Sequence, residues 1–245
     1  VISSTVAFKV NALPTIATQP VSPSACVCPP TTFSVTPSGT GPFTYRWQYS
    51  ENGTNWLNIS TSNTTDAAGS YSGAGTATMT MTPSTTGWNN AKYRAVVTNT
   101  STGCSVTSNV VTFTVNALPT IATQPVSRTV CVGNTAVFSV TPSGTGPFTY
   151  QWQHSTNGTT WTNLTLGNIT NTSGSYTGAG SATLSMTPIN LEWNNSKIRV
   201  IVKNSNNCEV TSSIVDFKVN ALPTIATQPV SPTACVGTPT TFSVT

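Results

Sequence analysis

The sequence predicts an all-β chain made of tandem Greek-key β-sandwiches of about seven strands each, and three observations predict it. The string Asn-Ala-Leu-Pro-Thr-Ile-Ala-Thr-Gln-Pro-Val begins at Asn11, Asn116 and Asn220, at spacings of 105 and 104 residues. Inside each period the apolar residues alternate with polar ones. Each complete period also holds one early and one late cysteine. A period of this length is one domain, about the size at which a sandwich buries its own core.

In chain order, residues 1–10 match the end of each period and are expected to be the last strand of a preceding repeat. Residues 11–115 and 116–219 are full repeats, and 220–245 is the start of a further one. Within a repeat, Phe33-x-Val35, Tyr45-x-Trp47-x-Tyr49, Met79-x-Met81, Tyr93-x-Ala95-x-Val97 and Val111-x-Phe113-x-Val115 have the period of two that strands with one wet face require. Turn signals separate them: Ser38-Gly39-Thr40-Gly41-Pro42, Glu51-Asn52-Gly53, Gly69 with Gly73 and Gly75, and Trp88-Asn89-Asn90. Trp47 and Trp152 fall mid-strand, where a tryptophan packs between two sheets. No stretch of ten residues supports an amphipathic helix. The junctions, Val115-Asn116-Ala117-Leu118-Pro119 and Gln124-Pro125, lack glycine and charge, so proline is expected to stiffen the chain into a semi-rigid series.

Composition excludes several function classes. Nine Lys plus Arg against five Asp plus Glu give +4, spread too thinly for a phosphate-binding stripe, so no nucleic-acid partner is expected. No apolar run approaches a membrane span, and none has the basic and apolar halves of a signal peptide.

The cysteines are Cys26, Cys28, Cys104, Cys131, Cys208 and Cys235. Cys26, Cys131 and Cys235 share the early position, and Cys104 and Cys208 share the late one, 78 and 77 residues further on. One pair per domain reads as a structural disulfide, so Cys26 to Cys104 and Cys131 to Cys208 are the expected bonds. Cys28, where the second copy has Gly133, is an alternative partner for Cys104 or a free thiol. A metal reading of Cys26-Val27-Cys28 is weak, because no second Cys or His pair answers it within the repeat.

The order Cys131 to Gly133, Phe138 to Val140, Tyr150 to Trp161, Tyr176 to Leu184, Asn194 to Val200 and Asn207 to Ser212 resembles the immunoglobulin-like repeats of very large secreted surface proteins of the Bacteroidetes, including gliding adhesins of flavobacteria. Cys28 and Pro29 replace the Gly-Asn of the second copy. The resemblance implies an immunoglobulin-like sandwich, export by the type IX system, and surface attachment in adhesion or gliding. Val35 and Ala95 stand where immunoglobulin domains usually carry their two cysteines, so the disulfide has moved toward the strand ends. The same strand map places Cys26 and Cys104 near opposite ends of the sandwich, so either the strand ends or the pairing is to be revised.

Catalytic residues are not expected. His154 is the lone histidine, and Glu51, Asp66, Glu192, Glu209 and Asp216 are isolated at different repeat positions. The junctions have no carboxylate to hold calcium, so neither metal nor cofactor is expected. Trp56, Trp88, Trp161 and Trp193 lie near strand ends and are candidates for contact with surface glycans; the competing reading is edge packing that closes each sandwich. Nine Asn-x-Ser/Thr sequons arise in a chain so rich in these residues.

The expected function is therefore structural or adhesive. These are repeats of a long extracellular surface protein, partnered by other repeats of the same chain and by surface glycans or proteins, without direct membrane insertion. The alternatives are accessory repeats of a secreted polysaccharide-degrading enzyme and a scaffold subunit of a surface filament or motility machine.

Overall fold

The computed structural model describes residues 10–245, and the chain divides into two compact units. The first takes the chain up to Thr120 together with Gly144–Pro147 and Lys203–Val210; the second takes Ile121–Ser143, Phe148–Val202 and Thr211–Thr245. The strand expected over residues 1–10 lies outside the described residues, apart from the exposed Val10.

The first copy carries β1 (Thr15–Thr18), β2 (Ser24–Cys26), β3 (Thr31–Ser34), β4 (Thr36–Ser38), β5 (Phe43–Ser50), β6 (Leu57–Asn58), β7 (Thr64–Asp66), β8 (Gly69–Ser72), β9 (Thr78–Pro83), β10 (Lys92–Asn99), β11 (Ser105–Thr107), β12 (Val111–Thr112) and β13 (Thr114–Asn116). One sheet runs β11-β10-β5-β6, with β12 also on β10, and the other runs β3-β9-β8-β7. The segments outnumber the seven strands expected, in part because the closing strand is interrupted. At Ser108 the hydroxyl, rather than a carbonyl, accepts from the Ala95 N–H at 2.9 Å, and the strand resumes as β12 and β13.

The period of two fixes which face is buried. Along β10, Tyr93, Ala95, Val97 and Asn99 are buried while Lys92, Arg94, Val96 and Thr98 are not. Trp47, opposite Ala95 in the antiparallel register, is fully buried and donates its Nε1–H to the Thr76 carbonyl at 3.0 Å. Phe33 from the other sheet packs on Trp47, Tyr93 and Phe113, with centroids 6.1, 4.9 and 5.5 Å apart. Val35 and Ala95 are both in this core, so apolar packing fills the place of a central disulfide.

The second copy repeats the plan with β14 (Thr120–Thr123), β15 (Arg128–Cys131), β16 (Ala136–Ser139), β17 (Thr141–Ser143), β18 (Thr149–Ser155), β19 (Thr162–Asn163), β20 (Ile169–Asn171), β21 (Gly174–Thr177), β22 (Thr183–Pro188), β23 (Ser196–Lys203), β24 (Glu209–Thr211) and β25 (Val215–Asn220). Its sheets run β15-β25-β23-β18-β19, with β24 on β23, and β16-β22-β21-β20. Trp152 and Phe138 take the places of Trp47 and Phe33 in its core.

Two of the turn signals act through side chains. The carboxamide oxygens of Asn89 and Asn194 accept from the Val115 and Val219 N–H groups at 2.9 Å, tying each Trp-Asn turn to the closing strand. The Gln-Pro segment read as junction belongs to the sandwich that follows it. Gln19 accepts from the Asn109 N–H at 2.8 Å, and Gln124 accepts from the Ser213 N–H at 2.9 Å. Residues 221–245 carry no strand.

The expected cysteine pairing is corrected by register. Strand β2 pairs parallel to β13 with Cys26 beside Asn116, and β15 pairs parallel to β25 with Cys131 beside Asn220. Cys104 and Cys208 precede the opposite end of the closing strand, at Ser105 and Glu209. That strand, Ser105 to Asn116, spans roughly 35 Å at ~3.3 Å per residue, whereas a disulfide needs Cα atoms within about 7 Å. Neither Cys26–Cys104 nor Cys131–Cys208 forms. Instead Cys26 is bonded to Cys208, at a Cα separation of 5.5 Å, and Cys28, Cys104, Cys131 and Cys235 are thiols.

Candidate functional site

The groups best suited to meet a ligand gather on the first copy. Antiparallel pairing sets Tyr49 of β5 directly opposite Tyr93 of β10, and the β7–β8 hairpin adds Asp66 and Tyr71. The short 3-10 turn Thr86–Trp88 brings Trp88 against them. Together with Asn58 these line a cleft of ≈ 410 Å³. Gly69 lets Trp88 approach: a Cβ there would lie 2.9 Å from the indole and 2.3 Å from the Thr82 carbonyl oxygen.

The polar groups of the cleft are well defined. Asp66 Oδ1 accepts from the Ala68 and Gly69 N–H groups at 2.7 and 3.1 Å, which fixes the carboxylate. Tyr93 is 1% exposed, and its hydroxyl has no hydrogen-bond partner among the described residues. Burial, followed by the neighbouring Tyr49 and Asp66, pushes that hydroxyl well above the ordinary tyrosine range. It therefore stays protonated and can donate. Trp88 and Tyr71 form an aromatic wall, with centroids 6.4 Å apart and planes at 54°. An aromatic wall with hydroxyls, an amide and a carboxylate suits a polyhydroxylated ligand held by stacking and hydrogen bonds.

The second copy carries different groups at the equivalent positions. Ile198 replaces Tyr93, His154 replaces Tyr49 and Asn171 replaces Asp66. The Tyr176 hydroxyl is engaged, accepting from the Thr165 N–H at 3.1 Å, and Ser173 donates to the Glu192 carboxylate. His154 lies on β18 with Nε2 buried and unpaired, and burial lowers its pKa below the usual histidine value.

The four tryptophans singled out in the sequence have different settings. Trp193 is 7% exposed and packs on Tyr176 and Phe217, so it is a core residue and not a surface contact. Trp56 and Trp161 are half-buried, and one face of each is covered at 4.0 Å by Arg94 and Arg199. Those guanidiniums donate to Gln48 and Gln153, which donate in turn to Asn58 and Asn163. Such a cation–π pair contributes about 0.5–1 kcal/mol at an exposed site. Of the four, only Trp88 lines the cleft.

Glu51 and Asp66, read as isolated acids, both border the cleft. The sequence reading missed Tyr93 as a site residue because its alternation marks it as core. The available signal was the exchange of Tyr93 for Ile198 between copies, which places a hydroxyl where packing needs none. Among the described residues no group of three or more His, Cys, Asp or Glu side chains could hold a metal ion. No helix among them is long and apolar enough to cross a membrane.

No family model matches the chain, and no curated protein matches it. Solved structures are similar to it at low identity. The I-band fragment I67-I69 from titin is 17% identical with a TM-score of 0.47, covering 90% of this chain and 70% of that one. The tandem Ig repeats of Dlar are 18% identical with a TM-score of 0.35, covering 86% and 99%. Extracellular domains 3-5 of Drosophila OTK are 14% identical with a TM-score of 0.33, covering 91% and 70%. The chain is an all-β protein whose two complete copies each pair two mainly antiparallel sheets around an apolar core.

Proposed function

We propose that the chain is the structural and adhesive repeat region of a long extracellular surface protein, in which residues 11–115 and 116–219 are successive folding domains of a semi-rigid stalk or fibre. The observation that carries this reading is the repetition of a self-contained apolar core in each copy, joined to a Cys26–Cys208 disulfide of the kind that persists in oxidising compartments. The resemblance to Bacteroidetes surface repeats supports export by the type IX system and a role in adhesion or gliding. Partners of this region are other repeats of the same chain and glycans or proteins of the surfaces it meets. Immunogold electron microscopy of source cells, with an antibody raised to one full repeat, tests the proposal. Label strung along filaments at the surface is expected; label confined to the medium would contradict it.

One observation favours a second reading, non-catalytic accessory repeats of a polysaccharide-degrading enzyme. It is the Trp88–Tyr71 cleft with its unpartnered Tyr93 hydroxyl. Titration of the chain with soluble polysaccharides tests it. Saturable binding that is lost in Trp88→Ala supports this reading, and no binding by either chain removes it.

A further inference from the structure

We infer that the cysteines of this repeat bond in a staggered series, the early cysteine of each copy to the late cysteine of the copy after it. Cys26 to Cys208 is one member of that series. Cys131 then takes the late cysteine of the copy that opens at Asn220. Cys104 takes the early cysteine of the copy to which residues 1–10 belong.

Three features of the structure carry the inference. First, a bond inside a copy is prevented twice over by the same parallel register, Cys26 beside Asn116 and Cys131 beside Asn220. Second, both partners of the observed bond share backbone contacts with their counterparts, although the turn before Cys104 is one residue longer than the turn before Cys208. The Val27 N–H donates to the Asn116 carbonyl at 3.1 Å, and the Val132 N–H donates to the Asn220 carbonyl at 3.0 Å. The Asn99 N–H donates to the Cys104 carbonyl at 2.9 Å, and the Asn204 N–H donates to the Cys208 carbonyl at 3.0 Å. Asn99 and Asn204 each cap that turn with the side-chain oxygen, which accepts from the Ser101 and Asn206 N–H groups at 2.9 and 3.0 Å.

Third, the late-cysteine turn is seated on residues that recur. Cys208 Sγ lies 3.9 Å from the Asn116 carbonyl oxygen, and Asn204 Nδ2 donates to the Ala117 carbonyl at 3.1 Å. The same Asn-Ala pair opens the copies at Asn11 and Asn220, although in the first copy Asn99 Nδ2 donates to the Thr40 carbonyl instead of to that pair. Cys28 stands outside the series, since Gly133 and Gly237 occupy its position in the other copies.

Each bond forms when two thiols give up two protons and two electrons to a disulfide oxidant. With oxidised glutathione, two glutathione thiols are released per bond. The series needs an oxidising compartment but no particular ligand, and it does not depend on the adhesive reading.

The test extends this chain after Thr245 with a second copy of residues 142–219, which completes the third repeat and supplies its late cysteine. The chain is folded in oxidised and reduced glutathione, thiols are blocked without reduction, and linked peptides are mapped by mass spectrometry. The expected result is Cys26 linked to Cys208 and Cys131 linked to the added late cysteine, with Cys28, Cys104 and Cys235 alkylated. In the unextended chain, Cys131 is expected to be alkylated while Cys26–Cys208 persists. Links Cys26–Cys104 or Cys131–Cys208, a scrambled mixture, or Cys131 still alkylated in the extended chain would each overturn the inference. Repeating the mapping with Cys28→Gly removes the spare thiol as a source of exchange, so the outcome is decided on the series itself.

Discussion

Replacing Cys28 with glycine is expected to stabilise the first copy. Cys28 has φ +86°, and its counterpart Gly133 has φ +87°. The backbone bond at this point is shared by the two copies: the Cys28 N–H donates to the Pro83 carbonyl at 2.6 Å, and the Gly133 N–H donates to the Pro188 carbonyl at 2.7 Å. The first copy therefore keeps the left-handed turn while carrying a side chain that opposes it. A Cβ in this region costs about 1–2 kcal/mol, and glycine returns about 0.5–1 kcal/mol of that through the greater freedom of the unfolded chain. The Cys28 side chain is exposed and unbonded, so its removal loses no contact. The net gain is about 0.7 kcal/mol, or roughly 3–5 °C in the melting temperature of a domain this size. Thermal and urea unfolding of Cys28→Gly against the parent chain measure it. Equal or lower stability would refute the reasoning, and would point instead to a bonded role for this thiol.

Gly174→Ala is expected to cost about 2–4 kcal/mol in urea unfolding, because its Cβ would sit 2.2 Å from the Thr187 carbonyl oxygen. Gly103→Ala, which meets open space at φ +72°, is expected to cost only about 1 kcal/mol. His154 has a lowered folded pKa, so below the usual value of about 6.5 the unfolded chain binds a proton that the folded chain does not. Stability should thus be level above about pH 6.5 and decline as the pH falls from there toward the folded pKa; His154→Tyr should abolish that slope in a pH series of melts. Tyr93→Phe is expected to leave stability within about 0.5 kcal/mol, since the hydroxyl has no protein partner to lose, and to weaken binding of any glycan that titration detects in the cleft.

Much of the fold was legible because strands with one wet face write a period of two into the sequence. Trp47, Tyr93, Ala95, Val97 and Phe113 declared their burial through that period alone. The cysteine pairing was not legible in the same way. Equal spacing within each copy, between Cys26 and Cys104 and between Cys131 and Cys208, suggested bonds inside the copy. Spacing is silent about the parallel pairing of β2 with β13, which carries Cys26 to the far end of the closing strand. The cleft was hidden for a related reason. Tyr49, Asp66, Tyr71, Trp88 and Tyr93 come from five separate segments, and only the register of β5 with β10 and of β7 with β8 brings them together. Trp193 misled because its place beside a turn reads as exposure, whereas Gly174 lets the indole fold down onto Tyr176.

The most direct test of the bond between Cys26 and Cys208 is single-molecule force spectroscopy, pulling on the two ends of the chain with and without reductant. Cys26 and Cys208 are 182 residues apart, so the bond should hide about 600 Å of contour length at roughly 3.4 Å per residue. The account predicts that this length appears only after reduction, or in Cys208→Ser. Equal extension of the oxidised and reduced chains would contradict it.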